Sequence, residues 1–406
     1  MIIDKIFLKR LGGYFISVPF LPFWWLQKLI KRKKNIWIFG SWHGRMYSDN
    51  SRALFEYVNQ YHYEIVSIWL TRDPMISEHL FKKGYRCYIT NSIRGIVFSL
   101  VAKNVIISCG KSDVNRFFIN GARIFQLWHG APMKKIGLDE NINTKKRKSY
   151  NRELDNPFFW KFLPKYIFKM LDEYRVNFLI STSKAFSNHL QSAFELSPSQ
   201  ILLTGYPRND VLLNQNQGIH FSKYKVDVDF LIMYLPTFRS GQGIDNLLNE
   251  YGFSKERIEE LLEKINGKLI IKAHFASESS LVDLNGRIIK LDNNPLLDLN
   301  HILKNADILI TDYSGCYFDY LLLNKPIIFT PFDYEDYISN DRQLYFEYDE
   351  IIGGPKTRNW IDVESEILEI VNGNDLYKEK RSQMNAKFNE FKDSNSSKRL
   401  FEIISQ

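Results

Sequence analysis

DILITDYSGCYFDYLLLNKPIIFT, residues 307–330, reads as a β-branched strand, a polar loop, a helix and a second apolar strand. A strand that returns to its sheet through a helical crossover is the unit of a parallel α/β fold. The same alternation runs outward in both directions. Toward the C-terminus the stretch Glu364 to Gln406 alternates charge with apolar residues at helical spacing and reads as closing helices. Toward the N-terminus come RIIKL at 287, KLIIKAH at 268 and DFLIMYLPT at 229, and then a polar stretch, Asn214 to Lys225. Before it lies an earlier series: ILLTG at 201, NFLIST at 177, RIFQLW at 123, NVIISC at 104, RCYIT at 86, EIVSIWL at 64 and NIWIFG at 35. Two series of strands predict two doubly wound domains with a seam around 205–228. In such sheets ligands bind beyond the carboxyl ends of the strands.

The chain has 406 residues, of which 45% are hydrophobic and 25% charged, the mixture of a packed globular protein. Its three cysteines, Cys87, Cys109 and Cys316, are widely spaced, which supports neither a disulfide framework nor a zinc motif. The net charge of +8 is concentrated at one end. Eight basic residues (Lys5, Lys9, Arg10, Lys28, Lys31, Arg32, Lys33, Lys34) stand against Asp4 before residue 35, and the rest of the chain carries 46 bases and 45 acids. A nucleic-acid binder would spread its charge over the folded domain. The uncharged run LGGYFISVPFLPFWWLQ, 11–27, is marginal in length for a membrane span and is broken by Gly12, Gly13, Pro19 and Pro22. With Trp24 and Trp25 beside KLIKRKK, it reads as an element lying in the interface of an anionic membrane; a helix buried against the protein is the competing reading. NPFFWKFLPKYIFKMLDEY, 156–174, with Lys161, Lys165 and Lys169 every four residues, reads as either a second interfacial segment or a core helix.

Chemistry-bearing residues collect at the strand ends. WHGAPMKKIG, 128–137, follows a strand and presents His129, whose imidazole suits abstraction of a hydroxyl proton near neutral pH. In that loop Gly130 allows close approach, and Lys134 and Lys135 would hold an anionic substrate. IIKAHF at 270 ends a strand on His274. Thr311, Asp312, Tyr313 and Ser314 pass from strand to helix and read as a phosphate cradle, and Asp319 farther along could reach a ribose. TGYPRND at 204 offers Arg208, and YLPTFRS at 234 offers Thr237, Arg239 and Ser240; arginine suits phosphate. Together these groups suggest transfer on a phosphoanhydride. There is no GxxxxGK[ST] loop and no clustered carboxylate metal site, which argues against a kinase or a two-metal phosphotransferase.

WHGAPMKKIG, TSKAF, TGYPRNDVLL, PTFRS, KAHF, TDYSGCYFDY with NKPIIFTPFDYEDY, and YDEIIGGP, in that order, resemble the CDP-glycerol glycerophosphotransferases of teichoic acid synthesis, and FGSWHGRMYSDNSRALFEY at 39–57 is similar to the start of that family's domain. The resemblance covers about Asn35 to Val371. It implies a GT-B-like α/β fold of two Rossmann-type domains facing a cleft, preceded by a membrane-associating segment. The boundaries expected are 1–34 for that segment, 35–215 for an acceptor-side domain, 216–385 for a CDP-donor domain and 386–406 for a helical tail.

The resemblance also implies transfer of glycerol phosphate or ribitol phosphate from a CDP-alditol to a hydroxyl of a lipid-linked saccharide, at the cytoplasmic face of the membrane, with release of CMP. His129 is then the general base. His274, Arg208, Arg239, Thr311 and Ser314 neutralise the pyrophosphate, with Thr237 and Asp312 beside them, and Asp319 reads the ribose. No tightly bound cofactor and no metal ligand are expected. Gly315 departs from the family, which often has a second serine there, and the short chain resembles priming or capsule-decorating enzymes more than long polymerases. The alternatives are a GT-B glycosyltransferase using a nucleotide sugar and a non-catalytic membrane adaptor.

Overall fold

A computed structural model describes residues 21–140, 172–214, 225–237, 239, 244–272 and 286–406. The first seven strands are β1 (Lys33–Phe39), β2 (Val66–Thr71), β3 (Cys87–Ile89), β4 (Ala102–Ile107), β5 (Arg123–Gln126), β6 (Phe178–Ser181) and β7 (Ile201–Leu203), in the spatial order β3-β2-β1-β4-β5-β6-β7. A second sheet holds β8 (Phe230–Leu235), β9 (Gly267–Ile271), β10 (Ile288–Lys290), β11 (Ile308–Thr311) and β12 (Ile327–Phe329), in the order β10-β9-β8-β11-β12. Every neighbouring pair is parallel. All twelve expected strands are present. In both sheets the strand order reverses beside the first strand, and this opens the crevice where a ligand can sit.

The central strands read as continuous apolar runs because helices cover both faces. In β1, Trp37 and Phe39 enter the large core, while Ile36 and Ile38 enter the core on the opposite face. In β8, Leu231 and Met233 face that same large core, and Ile232 and Tyr234 face away from it. One apolar core therefore runs from the first sheet into the second, and the seam between them is packed. The helix Ser396–Ser405 returns to the first domain, where Phe401 lies 5.4 Å from Trp37 and stacks on His62. The Asp210 carboxylate accepts from the N–H groups of Ser396 and Ser397, satisfying orphan donors of that helix.

The described part of the N-terminal segment is docked on protein. In the helix Leu21–Leu26, Trp24 is buried, and the Arg32 guanidinium donates to the carbonyls of Ser99, Ala102 and Asn120. Gln27 is buried as well and bonds to Phe117 and Asn120. Trp25, Leu26 and Leu29 are exposed beside Lys28. Among the described residues no helix is long and apolar enough to cross a membrane. Residues 1–20 and 156–171, on which most of the two expected membrane segments fall, lie outside the described residues.

Candidate active site

The loops after β1, β4 and β5 converge at the carboxyl edge of the first sheet, opposite the loop after β11. His129 stands at their centre. Its Nδ1 lies 3.2 Å from the Ser108 carbonyl. A carbonyl only accepts, so Nδ1 carries the proton and Nε2 keeps its lone pair. The ring is half-buried against Trp128 (4.2 Å between centroids) and Trp42 (5.2 Å). Burial lowers its pKa below the ordinary imidazole value; Asp49 and the Ser108 bond oppose this, and the charges of Arg208 and His43 add to it. The neutral base is thus the resting form at neutral pH. The sharp turn that presents it is made by Trp128 at φ 56°, in the left-handed region, and not by Gly130. A Cβ at Gly130 would meet only an ordinary contact with Arg208, so the close approach expected of that glycine is not what the loop uses.

Arg208 was expected at a pyrophosphate. Its Nη1 donates to Asp49 Oδ1 at 2.9 Å and to the His129 carbonyl at 2.7 Å, and its Nη2 donates to Asp319 Oδ2 at 2.5 Å. Asp319, expected at a ribose, is buried and uses its other oxygen to accept from Asn209 at 2.9 Å. The pair therefore joins the two domains behind the His129 loop, with Arg208 Nε left without a partner among the described residues. The side chain of Asn50 completes the junction: it donates to the carbonyls of Leu127 and Trp128 and accepts from the N–H of Arg208.

The loop after β11 is organised in the same way. The buried Asp312 carboxylate accepts from the N–H groups of Thr237 and Tyr313 and from Arg239. Arg239 donates further to both oxygens of Asp333, each at 2.8 Å, and to the Thr237 carbonyl. Held in this way, Asp333 has a pKa below the usual carboxylate range: burial raises it, and Arg239 outweighs that. Thr311 is buried and donates to the Leu235 carbonyl, tying β11 to β8. Thr311, Asp312 and Arg239 accordingly build the cradle; the half-buried Ser314 is left at its surface, and the Thr237 hydroxyl is buried beneath it with no partner among the described residues. His274 and Ser240 fall outside the described residues.

Lys134 and Lys135, expected on the acceptor side, belong by their contacts to the other domain. Residues 133–135 pair with 343–345: the N–H of Lys135 donates to Gln343, the N–H of Tyr345 donates to Met133, and Lys134 bridges Leu344 in antiparallel fashion. Burial pushes the Lys134 ammonium down to about 8 against the pull of Asp312, which places it beside the donor loop. A Cβ at Gly315 would lie 2.5 Å from the Ala131 carbonyl, so the two loops touch through a glycine. Gly315→Ala is expected to force them apart, lowering the urea midpoint by the equivalent of about 1–3 kcal/mol and reducing turnover; an unchanged midpoint and rate would show that the contact is not needed.

Sequence reasoning missed Trp42, His43, Asp49, Asn50 and Asp113. One signal was available: Trp-His-Gly occurs twice, at 42–44 and 128–130.

A family model described as CDP-glycerol:poly(glycerophosphate) glycerophosphotransferase matches residues 23–406. The chain is 29% identical over 382 residues to the teichoic acid glycerol-phosphate transferase of Staphylococcus aureus (strain NCTC 8325 / PS 47), covering 91% of this chain and 93% of that protein. It is 26% identical to the teichoic acid poly(glycerol phosphate) polymerase of Bacillus subtilis (strain 168), covering 87% of this chain but only 45% of the polymerase. A solved structure of the wall teichoic acid polymerase TagF superposes with a TM-score of 0.72 at 22% identity, over 98% of this chain and 95% of that one. The shared architecture is GT-B-like.

Proposed function

Because this chain belongs to the CDP-glycerol:poly(glycerophosphate) glycerophosphotransferase family, we propose that it transfers glycerol phosphate, or ribitol phosphate, from a CDP-alditol to an acceptor hydroxyl in teichoic acid synthesis. The observation that carries this reading is His129: a neutral imidazole fixed through Nδ1 at a strand end, with Nε2 available opposite the donor loop. The acceptor O–H gives its proton to Nε2, its oxygen bonds to the distal phosphorus, and the phosphorus–oxygen bond to CMP breaks in line, with the electron pair leaving on CMP. There is little covalent work for the protein beyond that proton, so positioning and charge stabilisation supply most of the rate.

On the donor side, Ser314, the Thr237 hydroxyl and the Lys134 ammonium meet the pyrophosphate, and His274 is assigned to the same charge. Arg239 and Asp312 hold that loop in shape, and Arg208 and Asp319 hold the two domains in register; these four are positioning residues. The acceptor is lipid-linked and reached at the cytoplasmic membrane face, a reading supported by exposed Trp25, Leu26 and Leu29 beside a run of lysines.

Purified protein is expected to release CMP from CDP-glycerol or CDP-ribitol in the presence of a hydroxyl acceptor, and no UDP from UDP-sugars. UDP release without CMP release would overturn the reading in favour of glycosyl transfer.

A further inference from the structure

The two Trp-His-Gly tripeptides share a left-handed tryptophan as well as a sequence. Trp42 (φ 46°) and His43 (φ 57°) are left-handed, as Trp128 is, and Trp42 reaches the His129 ring. Each histidine is tied through Nδ1 to the loop after β4: His129 to the Ser108 carbonyl, and His43 to the Ser112 hydroxyl at 2.7 Å. Non-glycine residues persist in this region only when their surroundings over-determine them, and such sites cluster where ligands bind. Here the surroundings are explicit. Asp113 accepts from the N–H of His43 at 2.7 Å, and the Gly44 carbonyl accepts from Thr71 Oγ1 at 2.9 Å and from the N–H of Arg72 at 2.6 Å.

Arg72 lies across Gly44, where a Cβ would come within 3.1 Å of its Cγ, and its Nη2 donates to the Ser112 carbonyl at 3.3 Å. An exposed imidazole and an exposed guanidinium thus converge on one residue, Ser112, beside the base. The nearby carboxylates are occupied. Asp113 is buried under the N–H groups of Ser108, Cys109 and His43, and Glu173 pairs with Arg116 and accepts from the N–H of Ser112.

A poly(glycerophosphate) acceptor carries a phosphate ester close to its attacking hydroxyl, and we propose that His43 and Arg72 form the acceptor-side anion subsite that holds this ester. A guanidinium fork matches phosphate oxygens, and the imidazole adds a second donor. Recognition of the acceptor then belongs to the ends of β1 and β2, whereas Lys134 and Lys135 are stitched to the other domain. The inference rests on the transfer reaction proposed above.

CMP release from CDP-glycerol by the full chain tests it with two defined acceptors, glycerol 3-phosphate and glycerol. Wild-type protein is expected to favour glycerol 3-phosphate. His43→Asn, chosen because asparagine tolerates the left-handed region, and Arg72→Ala should each lower kcat/KM for glycerol 3-phosphate about tenfold, the loss of one charge-assisted hydrogen bond. Both variants should leave kcat/KM for glycerol and KM for CDP-glycerol within about twofold, and Arg72→Lys should recover part of the loss. Equal losses on both acceptors, or none on glycerol 3-phosphate, would overturn the subsite. Absence of CMP release from any CDP-alditol would instead sink the transfer reaction itself. The subsite is then read from calorimetric titration with glycerol 3-phosphate, where wild type and Arg72→Ala binding alike would overturn it.

Discussion

His129→Ala is expected to lower turnover by about 10² to 10⁴, the range typical of removing a positioned general base, with donor binding retained. The imidazole makes no contact that the fold depends on: among the described residues its one hydrogen bond is to the Ser108 carbonyl, and its neighbours Trp42 and Trp128 are held by other groups. Folding should therefore survive and the loss should fall on kcat. The pH dependence gives an independent sign. Burial lowers the pKa of His129 below 6.5, and the neutral ring is the active form. kcat/KM should therefore stay flat through neutral pH and fall only as pH drops through that lowered value. An acidic limb that persists unchanged in His129→Ala, or near-normal turnover in the folded variant, would remove His129 from the role.

Arg208→Ala should be the most destabilising single change. The guanidinium faces two carboxylates that are themselves buried, Asp49 and Asp319, together with the His129 carbonyl. Removing one partner of a buried ion pair leaves uncompensated charge, at about 3–5 kcal/mol. Urea unfolding should show the loss, and turnover should fall with it because the carbonyl of the base is released. Arg208→Lys should restore little, since one ammonium cannot span two carboxylates in the fork geometry. A group that instead met pyrophosphate directly would behave in the opposite way: its removal would leave stability intact and weaken CMP binding. Calorimetry with CMP separates the two.

The central strands were legible because each is an apolar run covered on both faces, so local composition alone carries the signal, as in NIWIFG and DILITD. The strand-end rule also located the cluster around His129. It could not say which polar groups face a ligand and which face each other. Arg208 and Asp319 are 111 residues apart, and nothing local in TGYPRND or CYFDY marks them as partners. Arg239 was misread in the same way, since Asp333 lies far along the chain. Gly130 drew attention as the glycine of its loop, yet the left-handed residue is Trp128, a bulky residue whose ring packs on Phe194 and whose backbone N–H donates to Gln126. The repeated Trp-His-Gly was visible, but its first copy had no chemistry of its own until the fold brought Ser112 and Arg72 to it.

The ribbon of 133–135 with 343–345, together with the bare contact of Gly315 on Ala131, limits how such enzymes can be recombined. The segment carrying the base is encoded in the first half of the gene, yet it is finished by backbone bonds to the second half. A chimera that joins the N-terminal half of this chain to the C-terminal half of a relative inherits a base loop whose outer edge has lost its partners. Any relative with a side chain at position 315 would also press on Ala131. Donor preference therefore cannot be exchanged by swapping halves at the seam; the graft must include 131–135, 315 and 343–345 as one inherited unit.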